Sequence, residues 1–351
     1  MVYLGIDLHR KRSHVVAVNQ AGEQLLSRRV QTSPERLWHL FGEFDGQPME
    51  VAFESTFGWG WLADLLADAG IPAHMAHPLA TKAISSARVK NDAVDAHTLA
   101  QLLRGDLLPE AWPAPPECRE ARRLTRMRTS LVRMSSRLKC QVQAVLAEHG
   151  LTPRPSDLFG REGRHLLEQL RLPQVSQERL AANLRLIDSI AGEVRLADKQ
   201  LTRLFADDDR VRRLLPIPGI GPIAAAVAVA EIWEVSRFPS PRHLASWSGL
   251  TPTEHSSSEH IRLGHVSKQG SRWLRWILVE GAQQAARDPE LREFFNRVRG
   301  GRANRNKIAR VALAHRLLTL CFYALRDPQG CRAYPAIRSD EPIPGSVRAR
   351  S

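Results

Sequence analysis

Cysteine is nearly absent from this 351-residue chain: Cys118, Cys140, Cys321 and Cys331 stand far apart in sequence. Their spacing forms neither a disulfide framework nor a paired-cysteine zinc site, which points to a reducing compartment. Long hydrophobic runs are missing as well. The apolar stretch from Ile223 to Ala230 falls far short of the roughly 20 residues that a membrane span needs. Near the start, Asp7 and Arg10 interrupt the apolar run, so no secretion signal is visible. A soluble cytoplasmic protein without a membrane partner is the expectation. Lysine is scarce too, at seven of the 50 basic residues. The positive charge rests on arginine, whose planar guanidinium suits bidentate phosphate contact and stacking on bases, although arginine usage can also follow genomic base composition.

Acid is depleted from most of the chain. The formal net charge is +13 and the isoelectric point is near 10.4. Residues 1–112 nevertheless hold 10 Lys and Arg against 13 Asp and Glu, whereas residues 113–351 hold 40 against 24. An acidic module is joined to a basic remainder. Basic side chains that neutralise phosphates release counterions, so a nucleic acid is the natural partner of the second part.

Four carboxylates in the acidic module fall in an informative order. Val2 to Asp7 is a short apolar run ending in an acid, and the β-branched stretch from His14 to Asn19 follows a polar turn. A hairpin is predicted, with Asp7 at the end of its first strand. Residues 51–54 repeat the pattern and end on Glu54, after which a turn leads into a helix over 59–69. Asp92 and Asp95 are three apart in a helical sequence, which puts both on one face about one turn from each other. Like charges so placed repel unless a cation lies between them. Magnesium takes a few carboxylates plus water and phosphate oxygens, and two such ions can bracket the attacking and leaving oxygens of a phosphodiester. A strand Asp, a strand Glu and a helical Asp pair match an α/β fold of the RuvC or RNase H kind holding one or two Mg²⁺. Taken singly, each acid also reads as an ordinary surface group, with Asp92 as a helix cap.

The Pro-rich residues 108–116 mark a boundary, so the first domain is placed at 1–107. Beyond it, Leu124, Leu131, Leu138 and Val145 recur every seven residues with Met127 and Met134 at the intervening positions, predicting a long helix with a coiled-coil seam. Between Arg119 and Lys139 its other faces carry Arg122, Arg126, Arg133 and Arg137 among eight basic residues against Glu120 alone, which favours nucleic-acid contact over a merely solvated face. A second heptad starts near Ser176 and runs through Leu180, Leu184, Ile187, Val194, Leu201 and Phe205. The two helices, within 117–207, can pair with each other or with another subunit. A third domain is placed at 208–335 and a disordered tail at 336–351. At its start, Pro218-Gly219-Ile220-Gly221-Pro222 opens a small-residue helix like a helix-hairpin-helix element, whose backbone N–H groups meet a DNA phosphate. Close helix packing explains Gly219 and Gly221 equally well.

Further on come Gly249-Leu250-Thr251-Pro252, a serine triplet at 256–258, and Ser267-Lys268-Gln269-Gly270 before an Arg-bearing helix. With the four acids and the Pro-Gly-Ile-Gly turn, and in the same order, these resemble the DEDD-type serine transposases of the IS one-ten insertion-sequence family, related to the Piv DNA invertases. The resemblance covers nearly the whole chain. It implies a RuvC-like domain in front and a mostly α-helical transposase domain behind, the latter supplying a serine nucleophile that forms a covalent phosphoserine link. It also implies a structured, element-encoded non-coding RNA that pairs with double-stranded donor and target DNA, and a homo-oligomer, dimer or tetramer. Asp7, Glu54, Asp92 and Asp95 would hold the Mg²⁺. The family's spacing, five residues after the proline, selects Ser257, although Ser258 stands where Gly is expected. Counting back from Ser267-Lys268 selects Ser256. Arg262, Lys268, Arg272 and Arg275 flank the cluster as candidate phosphate clamps. The rival readings are a RuvC-like nuclease or Holliday-junction resolvase that activates water, and an inactive derivative that only binds nucleic acid.

Overall fold

A computed structural model describes residues 1–84, 91–152, 157–254 and 263–327. They fall into two compact units, Met1–Pro116 and Glu117–Ser351. In the first, β1 (Val2–Asp7), β2 (Arg12–Asn19) and β3 (Gln24–Gln31) form an antiparallel meander, and β4 (Met49–Glu54) and β5 (Ala73–Ala76) continue the sheet in parallel from β1. The order β3-β2-β1-β4-β5 is a mixed, RNase H-like sheet, as expected.

Alternation along the strands sends successive side chains to opposite faces. One face packs Leu4, Ile6, Val15, Ala17 and Phe53 under α1 (Pro34–Gly42) and α2 (Trp59–Asp68), which contribute Leu37, Leu40, Leu62 and Leu66. Each such buried side chain is worth about 1.5–3 kcal/mol. After α3 (Pro78–Ile84), α4 (Asp92–Arg104) covers the other face. Ala96 and Ala100 of α4 meet Val16 and Val18, while Leu99 and Leu103 meet Ala52 and Ala76. Gly5 sets how close α4 comes. A Cβ there would stand 1.9 Å from the Ala96 carbonyl oxygen and 2.6 Å from the Ala100 nitrogen. The helix backbone therefore rests directly on the central strand.

The second unit is mostly helical. It comprises α5 (Pro116–Glu148), α6 (Arg161–Gln169), α7 (Gln174–Leu204), α8 (Asp209–Leu214), α9 (Pro222–Ile232), α10 (Pro241–Ser248), the paired strands β6 (Pro252–Glu254) and β7 (Leu263–Val266), and then α11 (Arg272–Ala285), α12 (Pro289–Arg299) and α13 (Asn306–Arg326). Residues Ala224 to Ile232 are buried all round α9, as a central core helix requires. By length and composition alone Ala303–Arg326 could cross a membrane, yet Leu313, Leu317, Leu318 and Phe322 of α13 lie in the same core as α9 and α11. Ala121, Leu201 and Phe205 belong to that core too.

The predicted seam forms over half its length. Val142 and Leu146 of α5 pack on Leu180 and Ile187 of α7, with Leu167 of α6 between. Towards the start of α5, Met127 and Met134 are instead about half exposed, at 47% and 55%. There the buried stripe is Cys118, Ala121, Thr125 and Thr129, small side chains that let α5 lie close against the core. The second long helix, α7, begins at Gln174, two residues before Ser176, whose hydroxyl hydrogen-bonds His149 Nε2 at 2.9 Å.

Candidate active site

Asp7 and Glu54 end adjacent parallel strands, one step beyond the pair Ile6 and Phe53. Strand alternation puts both on the α4 face, Asp7 following Tyr3 and Gly5, and Glu54 following Ala52. The carboxyl ends of parallel strands are where such sheets bind ligands. Asn91 caps α4 through its side-chain oxygen, which accepts from Val94 N at 2.8 Å, so Asp92 and Asp95 fill the first turn. Because the next turn, at Ala96, already touches Gly5, the two aspartates stand over the end of β1. His9 joins them: its Nε2 lies 3.0 Å from Asp7 Oδ2 and 3.6 Å from Asp92 Oδ1. Arg29 Nη2 lies 3.7 Å from the other Asp92 oxygen.

Asp7 is buried, with 8% of its surface exposed. Burial pushes its carboxyl above the ordinary range, His9 draws it down, and the charges of Asp92 and Asp95 raise it further. The ligand atoms of Asp7, His9 and Asp92 lie within 4.8 Å of one another. An oxygen-rich donor set whose charges oppose one another is suited to a hard divalent cation, which would reverse the penalty on Asp7. His9 was not among the candidates from sequence, although its position two residues past a strand-terminal acid is a usable signal.

In the second unit, Ser256, Ser257 and Arg262 lie outside the described residues, on the connection between β6 and β7. The base of this hairpin is clasped. Ser267 N donates to Thr251 O at 2.9 Å and Lys268 N to Gly249 O at 3.3 Å. Gly249 and Gly270 both have positive φ, and a Cβ on either would run into backbone, 2.2 Å from Gln269 O and 1.7 Å from Trp247 O. The two motifs read from sequence meet here.

Two family models match the chain. One, described as a transposase model of the DEDD type, covers residues 4–150, and the other, described as the transposase IS116/IS110/IS902 family, covers residues 211–296. The chain belongs to the IS110/IS116/IS902 transposase family. It is 26% identical to the y4pF/y4sB protein of Sinorhizobium fredii over 95% of its own length and 86% of the relative's. It is 26% identical to the transposase for insertion sequence element IS1328 of Yersinia enterocolitica, over 80% and 82%. Its match to the IS110 43.6 kDa protein of Streptomyces coelicolor is also 26%, over 93% and 94%. This IS110-family transposase is thus a DNA-processing enzyme, and its DEDD-type domain implies use of a divalent metal.

Several basic residues expected to meet nucleic acid are engaged inside the transposase instead. Arg122 donates to the carbonyls of Ala230 and Glu231 at 2.9 and 2.8 Å, and burial lowers its pKa. Arg126 makes a bidentate pair at 2.9 and 3.0 Å with Glu231, which is 1% exposed and also accepts from Ser271 Oγ at 3.0 Å. The two arginines thus hold the end of α9, a face that the helical pattern alone left undetermined. Arg275 Nη1 donates to Ser248 O at 2.6 Å and to Gln269 O, closing the hairpin base rather than facing outward. Gly219 serves packing: a Cβ there would come within 2.3 Å of Gly281 O on α11. Gly221 caps α9, and nothing lies near the Cβ position it lacks. Arg133, Arg137, Lys268 and Arg272 are exposed, with Arg133 and Arg272 over the Trp273 ring at 5.0 and 4.6 Å.

Proposed function

We propose that this transposase is an RNA-guided recombinase that cuts and rejoins DNA by attack of a serine hydroxyl on a phosphodiester. The observation that carries the reading is the gathering of Asp7, Asp92 and Asp95, with Glu54 on the neighbouring strand end, at the carboxyl ends of the two inner parallel strands of an RNase H-like sheet. Asp7, Glu54, Asp92 and Asp95 would hold one or two Mg²⁺, which supply Lewis acidity at the scissile phosphate. Asp7, rigid on β1, would hold the metal in a fixed place, and His9, 3.0 Å from its Oδ2, orients its carboxylate. Ser257, or Ser256 beside it, attacks the phosphorus, displacing the strand's 3′ oxygen or 5′ oxygen, and the phosphoserine keeps the bond energy for rejoining. In this reading residues 1–107 bind the metal, 117–207 join subunits and bind nucleic acid, and 208–335 bring the nucleophile. A guide RNA and a dimeric or tetrameric assembly on two DNA segments complete the reading, supported by the family resemblance. Arg133, Arg137, Lys268 and Arg272 remain available to phosphates.

The test is a covalent adduct. Full-length protein with its cognate DNA and RNA and Mg²⁺ is expected to give a labelled protein–DNA species on a denaturing gel, lost in either Ser257→Ala or Ser256→Ala. Cutting without any adduct would replace serine attack by the water-activating nuclease reading, and adducts surviving in the double variant would take the nucleophile away from Ser256 and Ser257.

A further inference from the structure

A cationic cleft of about 820 Å³ opens beside the acids and belongs to none of the motifs above. Arg10, Lys11, Arg12, Arg29, Thr32 and Arg36 are among the residues that line it. They come from the turn after β1, from β2, from β3 and from the start of α1, in a unit that otherwise carries more acid than base. Strand register explains the position. Asp7 faces His14, and His14 faces Arg29, so acid and arginine lie in one row across the sheet. Arg12 and Gln31 form the next row on the same face, the face covered by α4. Arg29 joins the two regions, its guanidinium lying 3.7 Å from Asp92. Among the described residues no carboxylate lies within ion-pair distance of Arg10, Lys11, Arg12 or Arg36. Five cations sharing one cleft repel one another, and only an anion relieves all of them together. Arginines on separate elements, each able to make two parallel N–H···O bonds, fit successive phosphates better than a single small anion.

We propose that this cleft is a phosphodiester-backbone site that holds the DNA strand running into or out of the acid cluster. It deepens the reading of the acids as the cutting centre, on which the course of the strand rests. Phosphates of the same strand would be anchored across β2 and β3 while one of them reaches Asp7 and Asp92. The anchoring is sequence-independent, since backbone contacts position a duplex or strand without reading its bases.

The experiment measures binding of full-length protein to duplex DNA, to single-stranded DNA and to an RNA of equal length, across a salt series in EDTA. In the quadruple variant Arg10→Ala/Lys11→Ala/Arg12→Ala/Arg36→Ala, the slope of log affinity against log salt is expected to become shallower by about 2–3 for DNA, at roughly 0.9 per lost phosphate contact. The charge-preserving triple variant Arg10→Lys/Arg12→Lys/Arg36→Lys should keep most of the slope. All these side chains are exposed, and a thermal melt checks that both variants fold. An unchanged DNA slope in the quadruple variant overturns the proposal. A loss seen with RNA alone overturns it as well, because the cleft would then serve an RNA. The EDTA series reads binding alone, and failure of the acids as a cutting centre would appear separately, in Mg²⁺, as Asp7→Asn still cutting DNA.

Discussion

Gly5→Ala is the substitution that most directly tests how the fold builds the site. The added methyl would stand 1.9 Å from the Ala96 carbonyl oxygen, and an ordinary C···O contact of about 3.3–3.6 Å then requires α4 to retreat by roughly 1.5 Å. Both partners are backbone, so no rotamer change relieves the clash. Overpacking of this kind costs about 1–3 kcal/mol, which for a unit of this size is on the order of 5–15 °C in melting temperature. The functional effect should exceed the loss of stability. Asp92 and Asp95 move with α4 while Asp7 stays on β1, and a displacement near 1 Å at a reacting centre can cost on the order of 100-fold in rate. The assay is Mg²⁺-dependent strand cutting well below the variant's melting temperature, with Gly42→Ala as control, because nothing lies within 4 Å of the Cβ position at Gly42. If Gly5→Ala cuts within about threefold of wild type at every Mg²⁺ concentration, the contact does not set the geometry of the acids and the reasoning fails.

Other outcomes follow from the same structure. Asp7→Asn should abolish Mg²⁺-dependent cutting while DNA binding persists, measured side by side on one substrate; retained cutting would remove Asp7 from the site. Glu231→Ala strands Arg126 and Arg122 beside a lost buried carboxylate, and an estimate of about 3 kcal/mol allows for the partial exposure of Arg126, which can turn to water. Calorimetry should find the second unit melting several degrees lower, with much of the loss recovered when Arg126→Met is added. Asp208 caps α8 and clamps Arg210; burial pushes its carboxyl up, but the hydrogen bonds and charge of Arg210 outweigh that and hold it below the ordinary carboxylate range. Its contribution, about 1 kcal/mol as a cap, should therefore be complete above about pH 4 and vanish as the pH falls through the lowered value. Melting curves of wild type and Asp208→Asn should converge in acid, and a gap that persists there would contradict the assignment.

The acids were legible because each marks the end of a pattern that sequence displays: a short apolar run stops at Asp7 and at Glu54, and a capped helix opens at Asp92. Three features were not legible, for different reasons. His9 acts through a turn whose path depends on the hairpin. Arg122, Arg126 and Arg275 lie on helices whose polar faces look solvated until α9 and the hairpin base are laid against them. The cationic cleft is spread over four elements between positions 10 and 36, and only the register of β2 with β3 brings its members together. Heptad spacing left open whether α5 and α7 pair with each other or with another subunit, and it did not show where their contact ends, since the small residues Ala121, Thr125 and Thr129 carry no hydrophobic signal of their own.

The glycine clasp at 249 and 270 separates two jobs that a loop usually combines. Its backbone contacts, together with the Arg275 guanidinium, hold the base of β6 and β7 through residues that all lie outside positions 255–262. Those eight positions can then be exchanged as a cassette: grafting the corresponding stretch from a relative should change the chemistry offered to a phosphate while leaving the melting of the helical unit untouched.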